Sequence, residues 1–494
     1  MSDNTPGVID REEIVTTPRS TRAALAATGL LLAGLMSSTV AGIAVPVVLA
    51  ATPTLTVGAN HDVSGFADNE AETTVAANPA NPDNVVIFSN FQVADALMES
   101  VTFDGGATWT ARKIADGSDE LGVACCDPNA AFDQYGNLFL VYLDIRAKKV
   151  QVAYSVDGGA TMRFLATIDH SDNANPAANG KKWAAGGDQP SLATGPGGTW
   201  FVYKPFSTGG QLLTVRGLPV SGLGKFGSLS AREKAPGSKP GSFGDIAVGQ
   251  DGQVLITYQD NIPTQGPSTI WTNLDPDGFG PAGFSAAIAA TTTNVGGFDF
   301  IPPQNSRSVD AESGLAYDRT GGAHRGRVFL VYTDEQPDES GNTDVFVRHS
   351  DNNGSSWSAP VRVNDDTGTN SQFNPHIALD QSSGTVAVGW HDARNDLGAG
   401  GAGDTNGLPN DDAQYFATAS SDGGLTFAPN VKVSAGTSNA ADAKNGVQYG
   451  DYTGLGFAGG VIHPAWADNS NAVGGNPDGA LSRFDVYSAA ITVR

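Results

Sequence analysis

Residues 376–392 read HIALDQSSGTVAVGWHD, and residues 414–434 read QYFATASSDGGLTFAPNVKVS. Together they contain four short segments that are rich in β-branched or aromatic residues and bounded by Gly, Asn, Asp or Ser. Such segments are typical of β-strands. Similar groups of four recur along the chain, and a recurring four-stranded unit predicts a blade of an all-β propeller.

A short turn motif lies between the last two strands of this unit. It reads Ser420-Ser-Asp-Gly-Gly-Leu-Thr-Phe427, and it recurs from Thr102 to Trp109, from Ser155 to Met162 and from Ser350 to Trp357. Glycine can supply the positive φ angles of such a turn, while Asp and Thr side chains can bond its backbone. The motif resembles the Asp box of the sialidase-like, or BNR-repeat, propellers. That resemblance implies a structural role on the outer rim, without catalysis.

The second strand of the unit allows the blades to be counted. Seven apolar strands of this kind end at Asn90, Asp144, Lys204, Asp260, Asp334, Asp392 and Asp468. We therefore predict seven four-stranded blades, with six as the alternative because the catalytic sialidases of the superfamily have six. The last blade lacks a fourth strand after residues 484–489, and residues 55–59 are predicted to supply it and close the ring. Residues 52–494 are thus predicted to form a single propeller domain.

The charge and composition of the chain restrict its binding partners and its localisation. The 494 residues carry a formal net charge of −24, which argues against nucleic acid and anionic membranes as partners and suits divalent cations or neutral ligands. Residues 23–50 contain no charged side chain. Residues 1–51 are therefore interpreted as an export signal or an N-terminal membrane anchor. Both interpretations predict a secreted or cell-surface protein, which we expect to be a monomer.

The only two cysteines are Cys125 and Cys126. Adjacent Cα atoms lie about 3.8 Å apart, which is shorter than a relaxed disulfide prefers. A vicinal disulfide in an oxidising compartment and a buried pair of thiols both remain open.

Acidic residues are predicted to surround the axial opening. Alignment of the innermost strands gives the equivalent positions Glu72, Asp127, Asp188, Phe243, Glu312, Asn374 and Asp451. A second acidic set is formed by the strand ends Asp144, Asp260, Asp334, Asp392 and Asp468. Like charges this close need compensation, and Arg146 and Arg394 are predicted to provide part of it.

Two interpretations of these acids remain open. Aspartates at strand ends commonly accept hydrogen bonds from nearby backbone amides. Alternatively, the acids bind Ca²⁺ or a polyhydroxylated ligand, with Asp188, Glu312 and Asp392 as metal candidates. The acidic loop 394–414 is a second candidate for Ca²⁺. No other cofactor is indicated.

The resemblance to sialidases implies specific catalytic residues. Sialidases grip the sialate carboxylate with three arginines, and they use a Tyr–Glu pair as nucleophile and an Asp as acid/base. Arg146 and Arg394 would be two of the arginines, and Tyr452 stands roughly where the nucleophilic Tyr of the family enters. The Phe/Tyr-Arg-Ile-Pro motif of the family is absent, because Glu72-Thr-Thr-Val-Ala76 occupies its position.

Two functions follow from these residues. The first is an exported glycoside hydrolase, similar to an exo-α-sialidase, in which Asp127, Asp451, Tyr452, Arg146 and Arg394 act on a glycan at the axial mouth. The second is a non-catalytic surface propeller that binds a glycan or a protein, with Ca²⁺ as a possible requirement. Carboxyl groups with strongly shifted pKa values in a pocket favour the first function, whereas a shallow, solvated ring favours the second.

Overall fold

The structure is a computed structural model that describes residues 51–494 apart from 92–93, 146–148, 169–186, 206–210, 442 and 444–446. Arg146 and the predicted signal or anchor segment, up to residue 50, therefore lie outside the described residues. In the part of the chain that is described, no helix is long and apolar enough to cross a membrane.

The first described strand is β1 (Leu55–Asp62), and two four-stranded antiparallel sheets follow it. The first sheet consists of β2 (Glu70–Ala77), β3 (Val85–Phe91), β4 (Leu97–Thr102) and β5 (Thr110–Ile114). The second consists of β6 (Ala124–Phe132), β7 (Leu138–Asp144), β8 (Val150–Ser155) and β9 (Arg163–Ile168).

The third and fourth sheets repeat this antiparallel order. The third contains β10 (Gly187–Gly195), β11 (Gly198–Pro205), β12 (Thr214–Gly222) and β13 (Lys225–Phe226), with β14 (Glu233–Lys234) also paired to β12. The fourth contains β15 (Ile246–Val248), β16 (Val254–Gln259), β17 (Ser268–Asp275) and β18 (Ile288–Thr293). A separate hairpin, β19 (Asp299–Ile301) and β20 (Gln304–Val309), follows the fourth sheet.

The last three sheets complete the ring. The fifth contains β21 (Gly314–Tyr317), β22 (Val328–Glu335), β23 (Thr343–Ser350) and β24 (Val361–Arg362). The sixth contains β25 (Gln372–Leu379), β26 (Val386–Asp392), β27 (Asp412–Ser420) and β28 (Val431–Lys432), with β29 (Ser438–Asn439) also paired to β27. The seventh contains β30 (Gly454–Ala458), β31 (Val461–Asp468) and β32 (Asp485–Val493).

The N-terminal strand closes the propeller. β1 is the fourth strand of the seventh sheet, in the order β1-β32-β31-β30, and Leu55 pairs with Val493. The predictions of seven blades and of closure by residues 55–59 are confirmed, and the six-bladed alternative is wrong. Closure gives the outer strand of the last sheet a partner within the chain, so the ring needs no partner from outside at this point.

The hydrophobic core lies between neighbouring sheets. β26 and β27 are buried along their whole length, which explains why their apolar residues follow one another instead of alternating with polar residues. Between the sixth and seventh sheets, the rings of Tyr415 and Trp466 stack with their centroids 5.0 Å apart. This continuous packing from sheet to sheet gives the inner strands a rigid frame around the axis.

The recurring turn motif has one hydrogen-bond pattern in all four copies. In the copy after β27, the amide of Gly424 donates to Ser420 Oγ at 3.0 Å, and the amide of Thr426 donates to Asp422 Oδ1 at 3.0 Å. The same bonds occur in the turns that begin at Thr102, Ser155 and Ser350. A fifth, related turn begins at Asp275, where Asp replaces the first hydroxyl residue. Sequence analysis missed it because its Ser and Thr positions hold other residues.

The adjacent cysteines form a disulfide in the structure. Cys125 and Cys126 are bonded to each other on β6, immediately before Asp127. Alkylation of the denatured, unreduced chain is therefore expected to label no cysteine, and reduction is expected to expose two thiols, as measured by intact-protein mass spectrometry. Labelling before reduction would favour the pair of thiols instead.

Candidate active site at the propeller mouth

The innermost strand of each sheet, or the segment that leads into it, contains a residue with a left-handed backbone conformation. These residues are Glu72 (φ 55°), Asp127 (55°), Gln189 (37°), Phe243 (52°), Glu312 (43°), Asn374 (50°) and Gly450 (85°). Positive φ is uncommon for residues other than glycine, and the strand pairing shifts register near Asp127 and Asn374, as in a β-bulge. The structure corrects one position of the predicted ring, because Gln189 takes the place assigned to Asp188. In the seventh sheet, the residue with positive φ is Gly450, which lies four residues before β30.

A narrow channel runs along the axis, since residues from all seven sheets or the segments leading into them line it. Asp127, Glu312 and Tyr452 contribute to its wall, together with Asp245 and His376. The bulges therefore bring carboxyl groups from distant parts of the sequence to one opening, as the sequence predicted.

The β19–β20 hairpin reaches from the fourth sheet across to the segment that leads into the seventh. Gln304 Nε2 donates to the carbonyl oxygen of Gly450 at 3.0 Å. The backbone amides of Ser306 and Arg307 donate to Gln448 Oε1 at 3.2 and 3.0 Å. These bonds hold the hairpin over part of the mouth.

Arg307, on this hairpin, is the cation of the acidic cluster. Its Nε donates to Asp451 Oδ1 at 2.7 Å, its Nη2 donates to Asp451 Oδ2, and Nη2 also lies 3.5 Å from Glu72 Oε1. The two bonds to Asp451 form a bidentate guanidinium–carboxylate pair. Sequence analysis did not identify Arg307. The long spacing between the second strands that end at Asp260 and Asp334 did indicate an insertion between the fourth and fifth sheets. It did not indicate where the inserted residues would pack.

Burial changes the protonation of the acids near Arg307. The pKa of Asp127 is raised to about 7, first by burial and then by the nearby charges of Asp188 and Asp451. Burial also raises the pKa of Glu72 and of Glu312 well above the usual range of a glutamate. A carboxyl group poised near neutral pH is what general acid catalysis requires.

The hydroxyl of Tyr452 is buried among the same acids. It has no hydrogen-bond partner among the described residues. Burial, followed by the charges of Asp127, Glu72, Asp451 and Glu312, raises the pKa of Tyr452 well above its ordinary value. Tyr452 is therefore a neutral phenol that can donate a hydrogen bond to a ligand. Glu72, one of the acids that act on Tyr452, also holds its proton more tightly than an ordinary glutamate does.

The structure does not bring Arg394 to this cluster. Arg394 Nη2 lies 2.7 Å from Asp392 Oδ2, Nη1 lies 2.7 Å from Asp365 Oδ1, and the guanidinium carbon lies 4.4 Å from the ring centroid of Phe416. Asp392, a predicted metal ligand, accepts hydrogen bonds on both oxygens, from Trp390, Gln372 and Arg394. Both residues thus organise the end of β26.

The other strand-end aspartates also accept hydrogen bonds from their own sheets. Asp260 accepts from Trp271 Nε1 at 2.8 Å, and Asp468 accepts from Trp466 Nε1 at 3.0 Å. Asp144 accepts from Gln151 of its own sheet, and Asp334 accepts from the amide of Glu335 on its own strand and from the amide of Asn294 at the end of the fourth sheet. These contacts support the capping interpretation for this second acidic set.

The remaining metal candidates lie in two places. Asp188 lies close enough to Asp127 and Lys204 to affect the pKa of each, and Glu312 lines the channel. In the acidic loop, oxygens of Asp396, Asp411 and Asp412 lie within 4.8 Å of one another. Asp396 Oδ2 already accepts the amides of Asp411 and Asp412 at 2.7 and 2.9 Å, so this carboxylate organises the loop.

Neither a protein-family model nor a curated protein matches the chain. Solved structures do resemble its fold. A Dyadobacter fermentans protein of unknown function is 10% identical, with a TM-score of 0.47, covering 89% of this chain and 99% of that one. A Penicillium chrysogenum α-L-arabinanase bound to arabinobiose is 13% identical, with a TM-score of 0.43 and coverage of 88% and 98%. A Hadza microbial sialidase is 11% identical, with a TM-score of 0.43 and coverage of 82% and 73%. At these values the likeness carries no information on substrate.

Proposed function

We propose that the protein is an exported glycoside hydrolase that acts on a glycan at the axial mouth. The observation that supports this function best is the difference between two neighbouring acids. Burial raises the pKa of Asp127 to about 7, whereas Asp451 forms a bidentate ion pair with Arg307. One protonated and one ionised carboxyl group are the minimum that acid/base cleavage of a glycosidic bond requires.

Each residue then has a distinct role. Asp127 is the general acid that protonates the leaving oxygen, and Asp451 is the carboxylate that activates water or stabilises positive charge on the sugar. Arg307 is a positioning residue that fixes the Asp451 side chain. Tyr452 donates a hydrogen bond from its buried hydroxyl, which has no other partner among the described residues.

The charge at the mouth favours a neutral glycan over a sialylated one. Arg307, the described cation that acts on Glu72 and Asp127, is already paired with Asp451. A sialate carboxylate would therefore find no unpaired arginine among the described residues of the cluster, whereas the protonated acids can bond neutral hydroxyl groups. The resemblance to sialidases implied three arginines that bind the sialate carboxylate. The described side chains of this cluster include no such set.

A non-catalytic glycan-binding propeller is the second candidate. It is favoured by the bidentate contact in which Arg307 engages both oxygens of Asp451. If this pair stays closed in the bound state, Asp451 cannot act on a sugar. The mouth then offers hydrogen bonds to hydroxyl groups without chemistry.

A panel of fluorogenic glycosides decides between the two functions. The full-length chain is incubated with neutral pyranosides, an α-L-arabinofuranoside and a sialoside, and product release is followed by fluorescence. We expect turnover of at least one neutral glycoside and none of the sialoside. Asp451→Asn is expected to abolish that turnover, whereas Asp251→Asn is the matched control because Asp251 is 83% exposed in a turn of the fourth sheet.

Each result points to one interpretation. Turnover of the sialoside would contradict the charge argument and favour an exo-sialidase. No turnover on any glycoside, together with glycan binding that Asp451→Asn leaves intact, would favour the binding propeller. Equal loss in Asp451→Asn and Asp251→Asn would mean that the effect is unspecific.

A further inference from the structure

Two exposed aromatic rings lie on the β19–β20 hairpin beside the axial channel. Phe298 and Phe300 are 47% and 50% exposed, whereas Asp299 and Ile301 are each 1% exposed. This alternation follows the two-residue period of a strand, so the two rings share one face of the hairpin. We call Phe298 and Phe300 the aromatic strip. Neighbouring apolar rings that stay exposed on a folded protein often mark a ligand-binding surface.

Phe243 connects the aromatic strip to the channel. The ring of Phe298 meets the ring of Phe243 edge to face, with the two centroids 6.1 Å apart. Phe243 itself lines the axial channel together with Asp127, Glu312 and Tyr452. The strip therefore begins at the wall of the candidate active site and is continuous with it.

Backbone contacts hold Phe298 in this place. Its amide donates to the carbonyl oxygen of Thr264 at 3.1 Å. A Cβ built on the preceding residue, Gly297, would lie 2.6 Å from the carbonyl oxygen of Ile262 and 3.0 Å from the ring of Phe243. Glycine thus allows the segment to approach Phe243 closely. A ring that is already fixed loses little conformational entropy when a ligand binds to it.

The hairpin presents two kinds of chemistry to the mouth. Arg307, on β20, binds Asp451 among the acids, whereas the aromatic strip, next to and on β19, carries no charge. A neutral sugar unit also has two kinds of surface, because hydroxyl groups surround its edge and C–H groups cover its faces. Carboxyl groups and Tyr452 suit the hydroxyl groups, and exposed aromatic rings suit the C–H faces.

We propose that the aromatic strip is a subsite that binds a further sugar unit of a neutral oligosaccharide through its C–H face. The inference rests on the proposed function, which places the cleaved unit among the acids of the mouth. Phe298 then stacks on the adjoining unit, and Phe300 lies farther along the same face. The substrate class is accordingly a neutral glycan of two or more units.

There is room for a longer chain beside the strip. Ile262, which packs against Gly297, also lines an open cleft together with Asn261, Pro263 and Thr292. The amide and hydroxyl groups of Asn261 and Thr292 offer hydrogen bonds to sugar hydroxyl groups. Oligosaccharides longer than two units are therefore expected to bind at least as tightly as the disaccharide.

Binding measured without turnover tests the subsite. The full-length chain carries Asp127→Asn, which slows turnover and keeps the shape of the protonated acid. An array of neutral mono- to hexasaccharides identifies the best ligand, and calorimetric titration then gives its affinity and that of its monosaccharide unit. We expect the oligosaccharide to bind more tightly than the monosaccharide. Because the readout is binding, a failure of the proposed hydrolase activity would leave this result unchanged.

Variants of the aromatic strip locate the bound unit. Phe298→Ala is expected to lower the affinity for the oligosaccharide about tenfold and to leave the affinity for the monosaccharide within about twofold. Phe298→Leu keeps the apolar bulk without the ring and is expected to lose most of the same affinity, whereas Phe298→Tyr is expected to keep it. Phe164→Ala is the matched control, because Phe164 is 45% exposed on the outermost strand of the second sheet.

Four outcomes would overturn the proposal. The first is an oligosaccharide affinity that Phe298→Ala and Phe298→Leu both leave unchanged. The second is an equal loss in Phe164→Ala, which would make the effect unspecific. The third is a loss that is as large for the monosaccharide, which would place Phe298 at the cleaved unit. The fourth is an array on which no neutral oligosaccharide binds, which would favour a protein as the occupant of the strip.

Discussion

Turnover by the wild-type chain is expected to fall as pH rises through about 7, and Asp127→Asn is expected to lower it by roughly 10²–10⁴-fold below that pH, with a smaller difference above it. Both effects have the same cause. Burial, Asp188 and Asp451 raise the pKa of Asp127 to about 7, and a general acid works only while it holds its proton. The measurement is the pH profile of kcat/KM on the best glycoside of the panel, with the fold checked by circular dichroism at each pH.

The variant Tyr452→Phe distinguishes a tyrosine that only donates a hydrogen bond from one that acts as the nucleophile. If Tyr452 only donates a hydrogen bond worth about 1 kcal/mol, its loss lowers kcat/KM by roughly 5–10-fold and leaves the pH profile in place. A loss from Tyr452→Phe as large as that from Asp127→Asn would instead make Tyr452 the nucleophile, as the sialidase resemblance implies. A pH profile that is flat around 7 would remove Asp127 from the role of acid.

Arg307→Ala is expected to destabilise the fold and to loosen the β19–β20 hairpin. Removing one partner of a fully buried ion pair costs about 3–5 kcal/mol. Arg307 is 35% exposed while Glu72 is 4% exposed, so solvent screening reduces the expected cost to roughly 1–3 kcal/mol. Urea denaturation measures this loss, and hydrogen exchange at residues 304–309 measures the release of the hairpin.

The pH dependence of this loss has a definite sign. The pKa of Glu72 is already raised in the folded state, first by burial, and removal of Arg307 raises it further. The folded state then binds more protons than the unfolded state, so stability is present below the unfolded pKa of about 4.3 and is lost as pH rises. The cost of Arg307→Ala is therefore expected to be small in acid and largest above neutral pH.

Arg112→Ala is the matched control for that variant. Arg112 Nε lies 2.6 Å from Glu99 Oε2, and Glu99 is fully buried while Arg112 is partly exposed, as in the Arg307 pair. Arg112→Ala is expected to lower stability by a similar amount without changing hydrogen exchange in the hairpin. If both variants change the hairpin equally, the effect is global and Arg307 has no special position.

The fold was largely predictable because its information is local and repeated. Segments such as Val386–Asp392 carry their own strand signal, and the turn after Ser420 reappears with the same spacing in other sheets. Even the partner of β1 was predictable, because the last sheet lacked one strand. The turn at Asp275 was missed since its hydroxyl residues are replaced.

The site was less predictable because its contacts cross the ring. The pairing of Arg307 with Asp451 depends on where the β19–β20 hairpin packs, and the repeating sequence pattern does not contain that information. A bulge in β10 also displaces the ring position of the third sheet by one residue, from Asp188 to Gln189. The prediction that Arg394 lies among the acids of the mouth was wrong because of a local contact. Arg394 binds Asp392, only two residues away in the chain.

Closure by β1 also sets the order in which the chain can finish folding. The first described strand pairs with β32, Leu55 opposite Val493, so the ring cannot close during synthesis until β32 has emerged. The entropy cost of joining such distant ends is modest, because each doubling of loop length adds only about 0.6 kcal/mol. The delay is nevertheless long, and during it β1 is an unpaired strand that other chains can capture. A chain truncated before β32 would keep that exposed strand permanently, which marks it for aggregation or proteolysis.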